Sequence, residues 1–170
     1  IKMFNDKNIE ILGYTANVSS VSETLDNVDS LRDNCCDGTI VQLLNADGIA
    51  GLKHIEHGII QSFNAFYRDE NLAKDLGVEI LLRTSGQRQI SKAFKMLGLH
   101  EGKMNICIIL INCPDYFIDQ LNDMFTRDDN VLSPEIDKLL KIYDISEKEL
   151  KIMDITSILI DRSSKLVVDQ

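Results

Sequence analysis

Residues 104–111 read MNICIILI, an apolar-rich run of eight residues in which polar and apolar side chains do not alternate. A strand with one face in water alternates between the two kinds of side chain, whereas a strand that is covered on both faces does not. We therefore expect this segment to be a central strand of a β-sheet with helices packed against each side.

The segments on both sides of this strand alternate between strand and helix patterns. Strands are predicted at residues 8–15 and 39–44, with a final edge strand at 165–169. Residues 78–83 fit either a strand or a buried helical turn. Helices are predicted at residues 20–33, about 52–67, 70–76, 90–97, 114–125, 134–143 and from 146 onward. This order predicts an α/β fold, a mixed β-sheet covered by several helices, with residues 1–170 forming a single domain.

Residues 81–99, LLRTSGQRQISKAFKMLGL, precede that strand and combine an apolar run, a turn and a basic helix. Ser85-Gly86 is a turn signal, because glycine adopts backbone angles that other residues avoid. After the turn, four apolar residues follow helical spacing and form one apolar stripe on a predicted helix that ends at Gly98. The four residues are Ile90, Ala93, Phe94 and Leu97.

The helix after the turn is locally basic in an acidic chain. Arg88, Lys92 and Lys95 share one helix face. Residues 83–103 contain five basic residues and one acidic residue, while the whole chain has a net charge of −9 and a pI near 4.7. This face is either an ordinary solvated surface or an anion site, in which the turn amides, the helix N-terminus and Arg83 would assist.

Composition excludes several classes of protein. The net negative charge argues against a free-standing nucleic-acid-binding protein, whose footprint is usually basic, but allows a local basic patch or a basic protein partner. No apolar run reaches the length of a membrane span. The four cysteines form no C-x-x-C pair and fit reduced thiols in a cytoplasmic protein.

Two other motifs have a chemical and an ordinary interpretation. His54 and His57 are three residues apart on a predicted helix, but a metal site needs further ligands, so a capping or solvated role is favoured. Gly48 and Gly51 follow a strand and could cradle a phosphate, but no Gly-Lys-Ser/Thr follows them. A plain strand-to-helix turn is the simpler interpretation, and we predict no metal and no cofactor.

The predicted C-terminal helix is apolar almost all round. Such a helix is either fully buried or pairs with another molecule. Its apolar residues include Leu150, Met153, Ile155, Ile158 and Leu159.

The sequence resembles the small kinase-binding subunit of the KEOPS complex, in the archaeal-type form. The family pattern E-x-L-L-x-x-S-G-x-R-Q-I-x-x-A-x-x-x-x-G is matched from Glu79 to Gly98, and the likeness extends in order along nearly the whole chain. Two positions depart from it. Gly58 stands where a small helix former such as alanine is expected, and Phe94 stands where a smaller aliphatic residue is common.

The resemblance implies a non-catalytic accessory subunit. It implies that the chain binds the N-lobe of a small atypical kinase, which works as an ATPase in the complex, and contacts the other subunits only indirectly. It also implies binding of the single-stranded 3′ CCA end of tRNA, in support of threonylcarbamoyladenosine synthesis. The tRNA contacts would be Arg83, Ser85, Gly86, Arg88, Gln89, Lys92 and Lys95. The kinase contacts would be Leu150, Met153, Ile155, Ile158 and Leu159, together with the helix at residues 52–67.

An unpaired base usually stacks on a flat side chain. We expect an Arg plane or an aliphatic surface to serve here, because no aromatic residue adjoins the turn in sequence. Two alternatives remain open. One is a small-molecule enzyme that uses Gly48 to Gly51 as a phosphate site, and the other is a homodimer formed through the C-terminal helix.

Overall fold

The central strand predicted from residues 104–111 is present and spans Gly102–Ile111. We describe a computed structural model over residues 8–33, 35 and 37–166. In this part of the chain the sheet has four strands in the order β2-β3-β1-β4, and every neighbouring pair is antiparallel. The strands are β1 (Ile9–Val18), β2 (Ile40–Asn45), β3 (Gly102–Ile111) and β4 (Thr126–Arg127).

Eight α-helices accompany the sheet in the same described residues. They are α1 (Val21–Asp29), α2 (Leu52–Tyr67), α3 (Leu76–Ser85), α4 (Ile90–Leu97), α5 (Tyr116–Met124), α6 (Ile136–Ile142), α7 (Glu147–Ile152) and α8 (Ile155–Ser164). Helix α3 includes residues 78–83, so the segment that fitted either a strand or a helical turn is helical.

The two faces of the sheet carry separate cores. On β3, Cys107 and Ile109 belong to the core of the first face, which is covered by α2, α3, α4, α6 and α8. Ile106 and Ile108 alternate with them and belong to the core of the second face, which is covered by α1 and α5. All four side chains are fully buried. The α/β class, a sheet covered by several helices, is therefore confirmed. The expected mixed sheet is not found, because all strand pairs among the described residues are antiparallel.

The helix predicted at residues 70–76 is wrong, because residues 70–75 are irregular, with bends at 72–75, and α3 begins at Leu76. The carboxylate of Glu79 accepts the backbone N–H groups of Leu72 (2.8 Å) and Ala73 (2.7 Å). Asp75 caps α3 by accepting the N–H of Val78 at 2.9 Å. These side chains satisfy the backbone donors, so the chain turns here, and Gly77 lies in the first turn of α3 instead of ending a helix.

The single C-terminal helix predicted from Ser146 is also wrong, although its capping box is confirmed by reciprocal bonds between Ser146 and Glu149. The segment forms two helices, because Asp154 caps a new one by accepting the N–H of Ser157 at 2.9 Å. In the predicted edge strand at 165–169, Lys165 and Leu166 lie outside any strand. The remainder of that strand lies outside the described residues.

Candidate functional site

The turn at Ser85 and Gly86 ends α3 as predicted. Gly86 has a φ of 68°, and its N–H donates to the carbonyl of Arg83. A Cβ at Gly86 would lie 3.4 Å from Cβ of Arg162, so the end of α8 packs against this turn. The hydroxyl of Ser85 is buried and donates to the carbonyl of Leu82 at 3.1 Å. The turn is thus held closed by bonds within the protein.

His54 fixes the same turn from the start of α2. Its Nδ1 accepts the backbone N–H of Ala50 at 2.9 Å, so Nε2 carries the ring proton and donates it to the carbonyl of Thr84 at 2.8 Å. Burial lowers the pKa of His54 to about 4, so the ring is neutral at physiological pH. His54 is a buried structural clamp.

The histidine pair does not form a metal site. His57 approaches Ser164 instead, with Nε2 and Oγ 3.1 Å apart. Among the residues that the structure describes, no group of three or more His, Cys, Asp or Glu side chains could hold a metal ion.

Gly58 lets α2 and α3 approach closely beside this clamp. A Cβ at Gly58 would overlap Oγ1 of Thr84 and lie 3.2 Å from its Cβ. This contact accounts for glycine at a position where we expected a helix former. It also fixes the position of Thr84, which immediately precedes Ser85.

Arg83 is not among the surface cations. Its Nε donates to the Glu79 carboxylate at 2.7 Å, and both side chains are buried. The guanidinium also donates to the carbonyls of Leu166 (3.1 Å) and Glu70 (3.2 Å). Arg83 therefore joins α3 to the 70–73 loop and to the end of the described chain. Arg83 and Ser85, both predicted as RNA contacts, are thus buried and hydrogen-bonded within the protein.

The other predicted RNA contacts lie together at the surface. Arg88, Gln89, Lys92 and Lys95 are exposed on α4 and the turn before it, and Gly86 is partly exposed. We call Arg88, Lys92 and Lys95 the cation face. The cation face directly follows the turn that His54, Ser85 and α8 hold in place. The start of α4, which carries these cations, is therefore fixed relative to the core.

The apolar stripe predicted on α4 is only half buried. Ala93 and Leu97 are fully buried, whereas Ile90 is 47% exposed and Phe94 is 40% exposed. We call Ile90 and Phe94 the apolar strip. An aromatic ring therefore lies at the surface next to the cation face, a position that helical spacing alone did not indicate.

The residues predicted to contact a kinase are likewise partly buried and partly exposed. Ile155, Ile158 and Leu159 are all buried, and Ile155 and Leu159 belong to the core of the first face. Leu150 packs partly against that core, and Met153 is 37% exposed. On the predicted helix α2, the large exposed apolar residues are Leu52, Ile60 and Tyr67.

The turn from Gly48 to Gly51 has already used several of its backbone groups. The Ala50 N–H binds His54, and the Ile49 N–H binds the carbonyl of Ala46 at 3.0 Å. The Gly48 carbonyl accepts the buried hydroxyl of Tyr143 at 2.8 Å. A phosphate cradle needs amides that point at the ligand, so this geometry favours the strand-to-helix turn.

An open groove of about 460 Å³ lies at the start of α2 and is lined by residues that include Ala50, Leu52, Leu132 and Pro134.

Within the described part of the chain, no helix is both long and apolar enough to span a bilayer.

Two comparisons with known proteins bear on this arrangement. The sequence model of a family described as "Kinase binding protein CGI-121" matches residues 17–164. The chain is also similar to the Regulatory protein Cgi121 of the archaeon Methanocaldococcus jannaschii, with 36% identity over 115 residues. That alignment covers 67% of this chain and 69% of the archaeal protein.

Proposed function

Because this chain belongs to the family of CGI-121 kinase binding proteins, we propose that it is a non-catalytic accessory subunit of the KEOPS complex. In this role it binds the small atypical kinase that works as an ATPase in the complex. It also binds the 3′ CCA end of tRNA and so supports threonylcarbamoyladenosine synthesis. We place it in the cytoplasm, where thiols such as the buried Cys107 stay reduced.

The observation that carries the tRNA contact is the cation face on α4. Three exposed cations within eight residues stand out on a chain with a net charge of −9. Phosphate binding by Lys and Arg releases counterions and supplies most of the affinity for nucleic acid. An acidic surface elsewhere repels RNA, so binding concentrates on this face.

Charge reversal tests this contact. Lys92→Glu combined with Lys95→Glu is expected to weaken tRNA binding and to make its dependence on salt less steep, since each lost phosphate contact removes about 0.7 from the slope for a single strand. Lys141→Glu with Lys151→Glu changes the net charge equally at two other exposed lysines and serves as the control. Equal losses of tRNA affinity in both double variants would show that the effect comes from net charge alone.

Removal of the CCA end tests which part of the tRNA is bound. A tRNA truncated before this single-stranded end is expected to lose most of its affinity for the wild-type protein. An unchanged affinity would place the contact on the duplex part of tRNA.

For the kinase we propose the outer surfaces of α2 and α8 and Met153, one of the two residues that join α7 to α8. Helices α2 and α8 lie next to each other at the surface, where Nε2 of His57 is 3.1 Å from Oγ of Ser164. Ile60 on α2 and Met153 after α7 are both 37% exposed, so each offers an apolar side chain to a partner. Buried apolar anchors surrounded by polar groups dominate protein interfaces. The acidic character of the chain suits a basic partner.

Titration of this protein into the purified kinase subunit, followed by calorimetry, tests that contact. We expect one-to-one binding that Met153→Asp and Ile60→Asp both weaken. Leu25→Asp on α1 is the control, because Leu25 is equally exposed but α1 covers the second face of the sheet. No binding at tens of micromolar, which corresponds to an interaction weaker than roughly −6 kcal/mol, would contradict the proposal.

A further inference from the structure

The apolar strip of α4 lacks an explanation in the fold of the protein. Ile90 and Phe94 lie four residues apart, so they are neighbours on one side of the helix. The core is already closed beneath them by Ala93 and Leu97, which are fully buried. A half-exposed phenyl ring costs free energy in water unless something covers it.

The strip borders the cation face. At about 100° per residue, Lys95 lies about 100° around the helix from Phe94, and Ser91 lies between them. A helix with its side chains is about 10–12 Å wide, so this separation is a short path over the surface. Within one nucleotide the sugar likewise separates the flat base from the charged phosphate. The distribution of apolar and basic groups on α4 thus matches that of a nucleotide.

We propose that Phe94, supported by Ile90, stacks against an unpaired base of single-stranded RNA whose phosphates lie on the cation face. This inference rests on the proposed function and names the residue that holds the base. The occupant is RNA, because the strip is bordered by cations on an otherwise acidic chain, and an apolar protein partner would have no use for them. Stacking on an aromatic ring also tolerates any base, since every base has a π-face.

Phe94→Trp gives a direct readout of stacking. The chain contains no tryptophan, so this variant carries a single fluorophore at the proposed contact. The probes are intact tRNA and a short synthetic single-stranded RNA that ends in CCA. We expect Phe94→Trp to keep the wild-type affinity and its fluorescence to be quenched at saturation. Tyr116→Trp is the control, because Tyr116 is exposed on α5 at the second face of the sheet and its signal is expected to stay unchanged.

Phe94→Leu completes the test, since it keeps an apolar side chain and removes the ring. We expect it to weaken binding of both RNAs by roughly fivefold to a hundredfold, the factor that stacking of one base contributes. Thermal unfolding of each variant shows that it is folded. Because the lysines are unchanged, the salt dependence of binding is expected to stay the same.

The outcomes separate this inference from the proposed function. If Phe94→Leu binds RNA as tightly as wild type while Lys92→Glu with Lys95→Glu does not, the stacking contact is wrong and the tRNA role stands. If Phe94→Leu weakens binding of the kinase instead of RNA, the strip is a protein-docking surface and the inference is wrong. If the wild-type protein binds neither RNA, both proposals fail.

Discussion

The Nε2 atom of His54 lies 2.8 Å from the carbonyl oxygen of Thr84 and joins the start of α2 to the end of α3. The other ring nitrogen accepts the N–H of Ala50 at 2.9 Å. A protonated ring would have no lone pair for that N–H, so one of the two bonds requires neutral histidine. The hydrogen bonds that hold the turn before the cation face therefore depend on the protonation state of one buried side chain, His54.

We predict that the protein loses stability as pH falls from about 6.5 to about 4. Burial lowers the pKa of His54 from 6.5 to about 4 in the folded state, so the unfolded chain binds more protons in this window. The free energy of unfolding then decreases as pH falls, by about 2 kcal/mol between about pH 7.5 and pH 5 from this group. Urea unfolding at the two pH values measures the change.

The controls for that prediction are two single substitutions. His54→Gln is expected to reduce the pH dependence, whereas His57→Gln is expected to keep most of it. Burial also lowers the pKa of His57, so its smaller contribution has the same sign. A full pH dependence in His54→Gln would assign the effect to other groups.

Gly58→Ala is expected to destabilise the protein, although alanine favours a helix by about 1 kcal/mol over glycine. The added Cβ would overlap Oγ1 of Thr84, and overpacking typically costs about 1–3 kcal/mol. In the background of Thr84→Ala the same substitution is expected to cost less. A double-mutant cycle from chemical denaturation measures this coupling, and strict additivity would show that the two residues do not restrict each other.

Arg83→Met is expected to lower the free energy of unfolding by about 3–5 kcal/mol, because it leaves the buried carboxylate of Glu79 without its cation. Lys92→Met, on the exposed side of α4, is expected to change it by less than about 0.5 kcal/mol. For RNA affinity the order reverses. Folded Arg83→Met keeps its tRNA binding at low temperature, and Lys92→Met loses part of it. If Arg83→Met loses more tRNA binding than its loss of folded protein explains, Arg83 contacts the RNA after all.

Ile158→Ala is expected to cost about 2–5 kcal/mol of stability, since the side chain of Ile158 is buried on the inner side of α8. Met153→Ala is expected to cost little stability and to weaken kinase binding. Denaturation and calorimetry on the same two proteins separate core from interface. Weak kinase binding by fully folded Ile158→Ala would contradict this division.

Periodicity and turn chemistry predicted most of the fold. The buried run of β3 and the extent of α2 follow from local patterns, and the left-handed turn follows from Gly86, a residue that adopts φ of 68° without strain. The break between α7 and α8 was missed because the apolar residues on both sides of it concealed a single capping residue, Asp154. Local spacing could not locate the caps that decide where a helix begins.

The candidate site was less predictable than the fold. Sequence spacing placed Arg88, Lys92 and Lys95 on one surface, and they are exposed together. It could not show that Arg83 is taken by Glu79 or that Phe94 reaches the surface. Glu79 lies only four residues before Arg83 on the same helix, so helical spacing could have suggested that ion pair. The burial of the pair and the exposure of Phe94 depend on which residues distant in sequence cover each side chain. The eight residues of α4 bury only a narrow side, which leaves Phe94 at its margin.

The strand order β2-β3-β1-β4 has a consequence for synthesis on the ribosome. The two earliest strands do not pair with each other, and both hydrogen-bond to β3, where Ile9 and Ile40 each face Ile111. At about 5–20 residues per second, the gap between β1 and β3 is translated in roughly 4–17 seconds. During that time the nascent chain has exposed strand edges, so its need for a chaperone is greatest before residue 111 emerges.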